Sequence, residues 1–359
     1  MSSKMRQPAA KIGQTIGIPT EMKPNERRVA LTPTACAALV KLGHRVLLQQ
    51  GAGERAGYSD KDYRTVGAEL AKNAKALYQN ATIIVKVKEP QRGDLKLLKP
   101  HHTLFCYLHL AGEPQLAKAL PKLGLTAYAF ETVVLNGKTP LLAPMSAIAG
   151  RLSMQLATWH LHAPRGGRGV LLGGALGKEA GHVTIIGGGV AGTEAATLAL
   201  GMGAHVTLLD INPARLAALK QQLPRLRTEV SSPAALNALL PSTDVLVSGV
   251  YVIGRKAPTV VDAKQLKLLP KGAVVVDIAI DQGGSIAGIQ QCTHKKPVYT
   301  KNGVLFSAIP NLPAAAPHTA SALLAEAITP YVAQLARGEL SAELAGGVNV
   351  AGGKLMLAM

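Results

Sequence analysis

The chain has 359 residues, 39 Lys and Arg against 21 Asp and Glu, a net charge of +18 and 48% hydrophobic residues, which is enough for two domains with separate cores. The basic excess is diffuse: 21 basic and 10 acidic residues fall in 1–140, 16 and 8 in 141–318, and 2 and 3 in 319–359. With no block of five Lys or Arg and only 3% aromatic residues to stack on bases, no nucleic-acid partner is expected. No charge-free apolar run of about 18 residues occurs, which argues against a membrane span. Cys36, Cys106 and Cys292 are scattered without zinc or disulfide spacing, as suits a reducing cytoplasm, and no metal site is expected. The first 15 residues carry Lys4, Arg6 and Lys11 and no acid; without an apolar segment behind them they read as a disordered tail rather than a secretory signal.

In chain order, residues 14–19 read as a strand, and the polar stretch EMKPNERRVALTP runs into a helix opened by Thr32 and Pro33 and closed at Gly43. The strand HRVLLQQ, a glycine-rich turn at 51–57 and a helix from Ser59 and Asp60 follow. A strand over 81–90 would place Lys86 and Lys88 on one face at period two. A strand over 103–110 puts His109 at its carboxyl end; a helix over 113–120 and a strand over 125–130 continue the alternation. A helix over about 146–160 takes Ser146 as its N-cap, and the loop at 164–182 is flexible by composition. This alternation predicts mostly parallel sheets with helices on both faces.

Residues 183–210, VTIIGGGVAGTEAATLALGMGAHVTLLD, break an apolar run with Gly187, Gly189 and Gly192, continue into a helix and end a second apolar run on Asp210. That is G-x-G-x-x-G in a strand–turn–helix context, which a dinucleotide site requires for a tight turn, close approach to a pyrophosphate and helix packing. The competing reading is a glycine-rich turn in some other α/β sheet. Asp210 can accept hydrogen bonds from a ribose and would repel a 2′-phosphate, favouring NAD over NADP. Helices at 213–222 and 233–240, a strand at 243–252, a helix at 262–268 and a strand at 273–284 complete this half. A helix over 319–337, interrupted at Pro330, returns to the first domain. The fold class is therefore α/β, with two Rossmann-like doubly wound domains: an NAD-binding domain, 141–318, inserted into a discontinuous substrate domain, 1–140 plus 319–359.

Several polar residues stand where packed strands prefer apolar ones. Arg28 could clamp a carboxylate or lie on the surface. His109 on an apolar strand reads first as a satisfied core histidine and second as an acid/base. Asp277 and Asp281, in VDIAIDQGG, could handle water or an amine, or cap a turn. Taken together, GIPTEMKPNERRVALTP, KVKEP, YLHLA, PLLAPMSAIAGR, GGRGVLLGG, IIGGGVAGTEAA, LDIN, VDIAIDQGG and PNLPAAAP resemble the alanine dehydrogenase family over about residues 16–335. The resemblance implies reversible oxidative deamination of L-alanine to pyruvate and ammonia with NAD, in a cytoplasmic hexamer of two-domain subunits. It implies Arg28, Lys88 and Asn311 at the substrate, His109 as acid/base and Asp281 as the group that handles water and ammonia. For NAD it implies Ser146, Gly187, Gly189, Gly192, Asp210, Arg215, Ser231 and Val250. Two rival readings are the hydride-donating domain of a proton-translocating transhydrogenase and a non-catalytic NAD-binding protein.

Overall fold

Thr32 opens the first helix as expected: its hydroxyl accepts the Ala35 N–H, and Pro33 follows at the first helical position. The computed structural model describes residues 14–252 and 256–356, so the basic segment bearing Lys4, Arg6 and Lys11 lies outside the described residues. The elements are β1 (Thr15–Ile18), α1 (Pro33–Lys41), β2 (Arg45–Gln49), α2 (Asp60–Thr65), β3 (Glu69–Ala71), α3 (Ala74–Asn80), β4 (Ile83–Val85), α4 (Arg92–Leu97), β5 (Thr103–Cys106), α5 (Pro114–Ala119) and β6 (Thr126–Ala129). Next come α6 (Ala143–His160), β7 (His182–Ile186), α7 (Val190–Gly201), β8 (His205–Asp210), α8 (Pro213–Gln222), β9 (Arg227–Val230), α9 (Pro233–Leu239), β10 (Val245–Ser248), β11 (Val274–Asp277), β12 (Tyr299–Lys301) and β13 (Val304–Ser307). The chain closes with α10 (Pro317–Arg337), α11 (Ala342–Gly346), β14 (Val348–Ala351) and β15 (Lys354–Leu355).

The described residues form two compact units, one of residues 14–141 and 317–356, the other Leu142–Ala316. The first unit holds an eight-stranded sheet in the order β15-β14-β6-β5-β4-β1-β2-β3, parallel except at β14 and β15. The second holds a seven-stranded sheet, β12-β13-β11-β10-β7-β8-β9, parallel except at β12. Central strands such as β4, β10 and β11 are buried throughout and apolar up to the terminal Ser248 and Asp277 of the latter two, as strands covered on both faces must be. Among the described residues no helix is long and apolar enough to cross a membrane.

The structure departs from the sequence reading at several points. The strand expected over 81–90 ends at Val85 and that over 103–110 ends at Cys106, so Lys86, Lys88 and His109 lie in loops. The two lysines accordingly share no strand face. Ser146 is not an N-cap: α6 begins at Ala143 with Pro144 in its first turn, and the Ser146 N–H already donates to Leu142 O at 3.0 Å. The helix expected at 262–268 is a 3₁₀ turn, Gln265–Leu268. The glycine-rich segment 164–182 is anchored at several points, although residues 175–179 are exposed and a Cβ on Gly177 would meet nothing within 4 Å. A Cβ on Gly173 would lie 2.0 Å from Met202 O, Leu172 is buried, and Arg168 pairs with Asp244 at 2.6 Å. Its glycines serve close approach of backbones. Helix α10 runs through Pro330 without a break, because Ala320, Leu324, Ile328 and Val332 bury one continuous face while Pro330 and Glu326 lie on the exposed one. The carbonyl that Pro330 leaves without a donor can therefore be hydrated. Short strands at the sheet edges and ends, such as β3, β9 and β15, have no counterpart in the sequence reading.

Candidate functional site

In the second unit most residues singled out from the sequence sit at or just beyond the carboxyl ends of neighbouring parallel strands, where open α/β sheets carry their ligands, while Arg215 and Ser146 lie on helices. Gly187 turns out of β7 with φ +98°, a conformation that L side chains rarely adopt. Gly192 packs α7 on that turn so closely that a Cβ would lie 1.9 Å from Gly187 O, whereas a Cβ on Gly189 would meet nothing within 4 Å. The turn is thus closed on its packing side and open at Gly189, where the N-terminus of α7 offers free N–H groups to an anion. That geometry fits a dinucleotide pyrophosphate.

Asp210, at the end of β8, accepts the Gly188 N–H at 2.6 Å through Oδ2 and the Asn212 N–H at 2.8 Å through Oδ1. Arg215, in the first turn of α8, donates from Nε to Gly188 O at 2.6 Å and from Nη2 to the Thr193 hydroxyl at 3.0 Å. Both side chains brace the glycine turn. Ser231, just past β9, donates its N–H to Asp210 O at 3.0 Å, and Val250, past β10, borders Gly187: a Cβ there would lie 3.4 Å from Val250 N. Ser146 lies one turn before Gly150, the α6 residue packed against the Ala191 carbonyl of α7.

The two aspartates after β11 separate cleanly. Asp277 is buried and caps the turn, accepting N–H groups from Ala279, Ser285 and Ile286 at 2.7–3.1 Å. Asp281 is exposed on the 3₁₀ turn Ile278–Gln282, where its Oδ2 accepts the N–H of Asn311 at 3.2 Å. Asn311 follows β13 with φ +59°. Asp281 and Asn311 are therefore neighbours.

In the first unit the polar residues follow β1, β4, β5 and β6, again adjacent parallel strands at their carboxyl ends. Arg28 is 2% exposed and Glu26 is fully buried. The guanidinium donates through Nε and Nη2 to the two Glu26 oxygens at 2.7 and 2.6 Å. Burial disfavours the arginine charge, but Glu26 outweighs that and raises its pKa. A surface reading of Arg28 is thereby removed.

Lys86 is fully buried between Glu21 (3.5 Å) and Asp94 (3.2 Å), and Asp94 accepts the Tyr78 hydroxyl at 2.7 Å. Lys88, also buried, turns instead to Glu89, 3.6 Å away. His109 adopts a left-handed φ of +48°, a conformation uncommon outside glycine, and its backbone N–H donates to Glu131 at 2.6 Å. Its ring stacks on Tyr107 at 5.6 Å and keeps 26% of its surface exposed. Burial, then the Lys88 charge, push the imidazole well below the usual histidine range. At neutral pH it is a neutral base beside fixed cations.

Sequence reasoning missed Glu21, Glu26, Glu89 and Glu131, all buried. Glu131 also takes the Leu108 N–H at 3.2 Å, and burial raises its carboxyl pKa. A carboxylate directly after an apolar strand was the available signal, the same one that drew attention to Asp277.

These features define a two-domain α/β protein with one Rossmann-type dinucleotide unit and a second unit carrying a buried ionic site. The chain belongs to the alanine dehydrogenase/PNT family: the N-terminal domain profile of that name matches residues 17–149 and the C-terminal domain profile residues 153–358. It is 42% identical over 346 residues to an alanine dehydrogenase of Bacillus subtilis, covering 94% of this chain and 91% of that protein. It is 45% identical to an alanine dehydrogenase of Methanococcus maripaludis, covering 89% and 87%. A solved L-alanine dehydrogenase superposes with a TM-score of 0.90 at 42% identity, covering 95% and 96%. A transhydrogenase from Sinorhizobium meliloti, at 24% identity and TM-score 0.81, shares the fold.

Proposed function

We propose that the chain is an NAD-dependent L-alanine dehydrogenase that converts L-alanine and water to pyruvate and ammonia, reversibly. The observation that carries this reading is the His109 ring, stacked on Tyr107 with 26% of its surface exposed, in the cluster of strand-end loops that also holds the buried cations Lys88 and Arg28; burial and the Lys88 charge favour its neutral form. An amino acid brings a carboxylate for a cation to hold, and a keto acid adds a carbonyl for a second cation to polarise. Arg28 takes the carboxylate, since its guanidinium is already oriented by Glu26. Lys88 meets the carbonyl oxygen and stabilises negative charge developing there.

NAD, when bound, supplies the acceptor for the hydride leaving the substrate Cα. The glycine turn and the α7 N-terminus would hold its pyrophosphate, Asp210 would meet the adenosine ribose, and Arg215, Ser231, Val250 and Ser146 would complete its surroundings. Asn311, whose N–H donates to Asp281, would lie beside the nicotinamide. Loss of hydride leaves an iminium on the substrate, which water attacks. His109 takes the proton of that water and returns it as ammonia departs, and Asp281 orients water and ammonia. The reading extends to a cytoplasmic homo-hexamer, supported by the family resemblance; sedimentation velocity measures the assembly.

The test is to mix purified protein with NAD and L-alanine at alkaline pH and follow NADH absorbance. A rise is expected, with NADH consumption by pyruvate and ammonium in reverse. Failure in both directions overturns the reading.

A further inference from the structure

Glu89 has no part in the chemistry above, yet it touches the lysine placed on the substrate. It is 3% exposed, in the loop after β4. Its Oε1 pairs with the Lys23 ammonium and accepts the Gln91 amide at 3.4 Å, and its Oε2 lies 3.6 Å from the Lys88 ammonium. Lys23 comes from the loop after β1 and is 31% exposed. One carboxylate therefore ties the loops of two adjacent strands and ends on Lys88. The same lysine is held at its backbone by Glu21, whose Oε2 accepts the Lys88 N–H at 3.4 Å.

Burial opposes charge on Glu89, but Lys88 and then Lys23 outweigh it and hold the carboxyl below its usual range. It is an anion among cations. The charges facing the His109 imidazole are Lys23 and Arg28 from the loop after β1, Lys88 and Glu89 from the loop after β4, and Glu131 after β6. After burial, Lys88, Lys23 and Arg28 push the imidazole down, and Glu89 pushes it up.

We propose that Glu89 is a positioning residue: with Lys23 as counter-clamp it fixes the Lys88 ammonium for the substrate carbonyl and sets the charge balance around His109. This rests on the roles given above to Lys88 and His109. Three variants test it: Glu89→Gln, Lys23→Met and the conservative Glu89→Asp. Readouts are the pH dependence of pyruvate kcat/KM, the KM for pyruvate, and the His109 imidazole titration by NMR, with NADH binding and thermal midpoint as checks of folding.

Glu89→Gln is expected to raise KM for pyruvate about tenfold or more through loss of a charged contact, and to move the His109 titration and the acid limb of the profile to lower pH. Lys23→Met is expected to move both to higher pH, and Glu89→Asp to restore part of the lost KM. The opposite signs are what a merely structural role cannot produce. Unmoved titration and KM in Glu89→Gln, or shifts of the same sign in both charge-removing variants, would overturn the inference, as would a lowered thermal midpoint alone. If the wild-type protein turns over no alanine, the proposed function fails, and the NMR titrations still decide whether Glu89 and Lys23 act on His109.

Discussion

Replacing Asp210 by Ala tests two roles of one carboxylate, the proposed contact with a ribose and the bracing of the glycine turn seen in the fold. Read from sequence, Asp210 meets the ribose; in the fold it also accepts the Gly188 and Asn212 N–H groups at 2.6 and 2.8 Å. A hydrogen bond to a charged acceptor contributes about 1.5–3 kcal/mol. Asp210 is half-buried, so water can reach the freed N–H groups and the lower figure applies, about 3 kcal/mol for the pair. For a unit of this size about 1 kcal/mol moves the thermal midpoint by roughly 2–4 °C, so the second unit should melt about 6–12 °C lower. Affinity for NAD and NADP should fall together, because the turn that grips the shared pyrophosphate is less ordered. The NAD preference should relax in addition, because the charge opposing a 2′-phosphate is gone. Melting by circular dichroism and fluorescence titration with NADH and NADPH measure all three. A wild-type midpoint would refute the bracing role, and an unchanged NAD preference would refute the contact with the ribose.

His109→Asn and Asp281→Asn should each abolish turnover while NADH binding stays near wild type, and a wild-type rate in either would remove that residue from the mechanism. Lys86→Met leaves Glu21 and Asp94 buried without their cation and should cost about 3–5 kcal/mol in denaturant unfolding. Neutralising the acids as well, with Glu21→Gln and Asp94→Asn, should recover much of that loss, and no recovery would show that the charges are not its source. His44 is buried with neither ring nitrogen hydrogen-bonded, and burial, then Arg337, lowers its pKa from 6.5. Below that value the unfolded chain binds the proton and the folded one resists it, so stability present above about pH 6.5 is lost as the pH falls. His44→Leu should flatten this acid-side loss in melts between pH 7 and 5, and an unchanged slope would show that other groups carry it.

The parts of the site that were legible in the sequence are those whose geometry is local. A strand, three spaced glycines and a helix require one another within a few residues, so Gly187, Gly189 and Gly192 announced the turn, and Asp210 followed from the length of one βαβ unit. Thr32 with Pro33, and Ser59 with Asp60, marked helix starts for the same reason. Local pattern failed where an apolar run outlasted its strand: VKVKEP alternates like a strand, yet pairing stops at Val85, and Lys86 and Lys88 turn to different acids. It failed again at Ser146, because Pro144 in the first turn lets the helix begin at Ala143, with Leu142 rather than Ser146 at the cap.

The carboxylates that shape the first unit were invisible for a different reason. Glu21 reaches the loop after β4 from 66 residues away, and Glu131 holds His109 across 22. Those pairs exist because the sheet sets β6, β5, β4 and β1 side by side: the first three follow one another in the chain, but β1 reaches β4 across two intervening strands of sequence. By itself the sequence determined the strand, three glycines and helix of a dinucleotide turn, since these depend on short-range spacing, while the amino-acid chemistry was implied only by the resemblance of a series of motifs to one family. Only the tertiary structure decided which charges are paired, that Asp277 caps while Asp281 is exposed, and that His109 stays neutral, because burial and the neighbours of a charge are set by strand order.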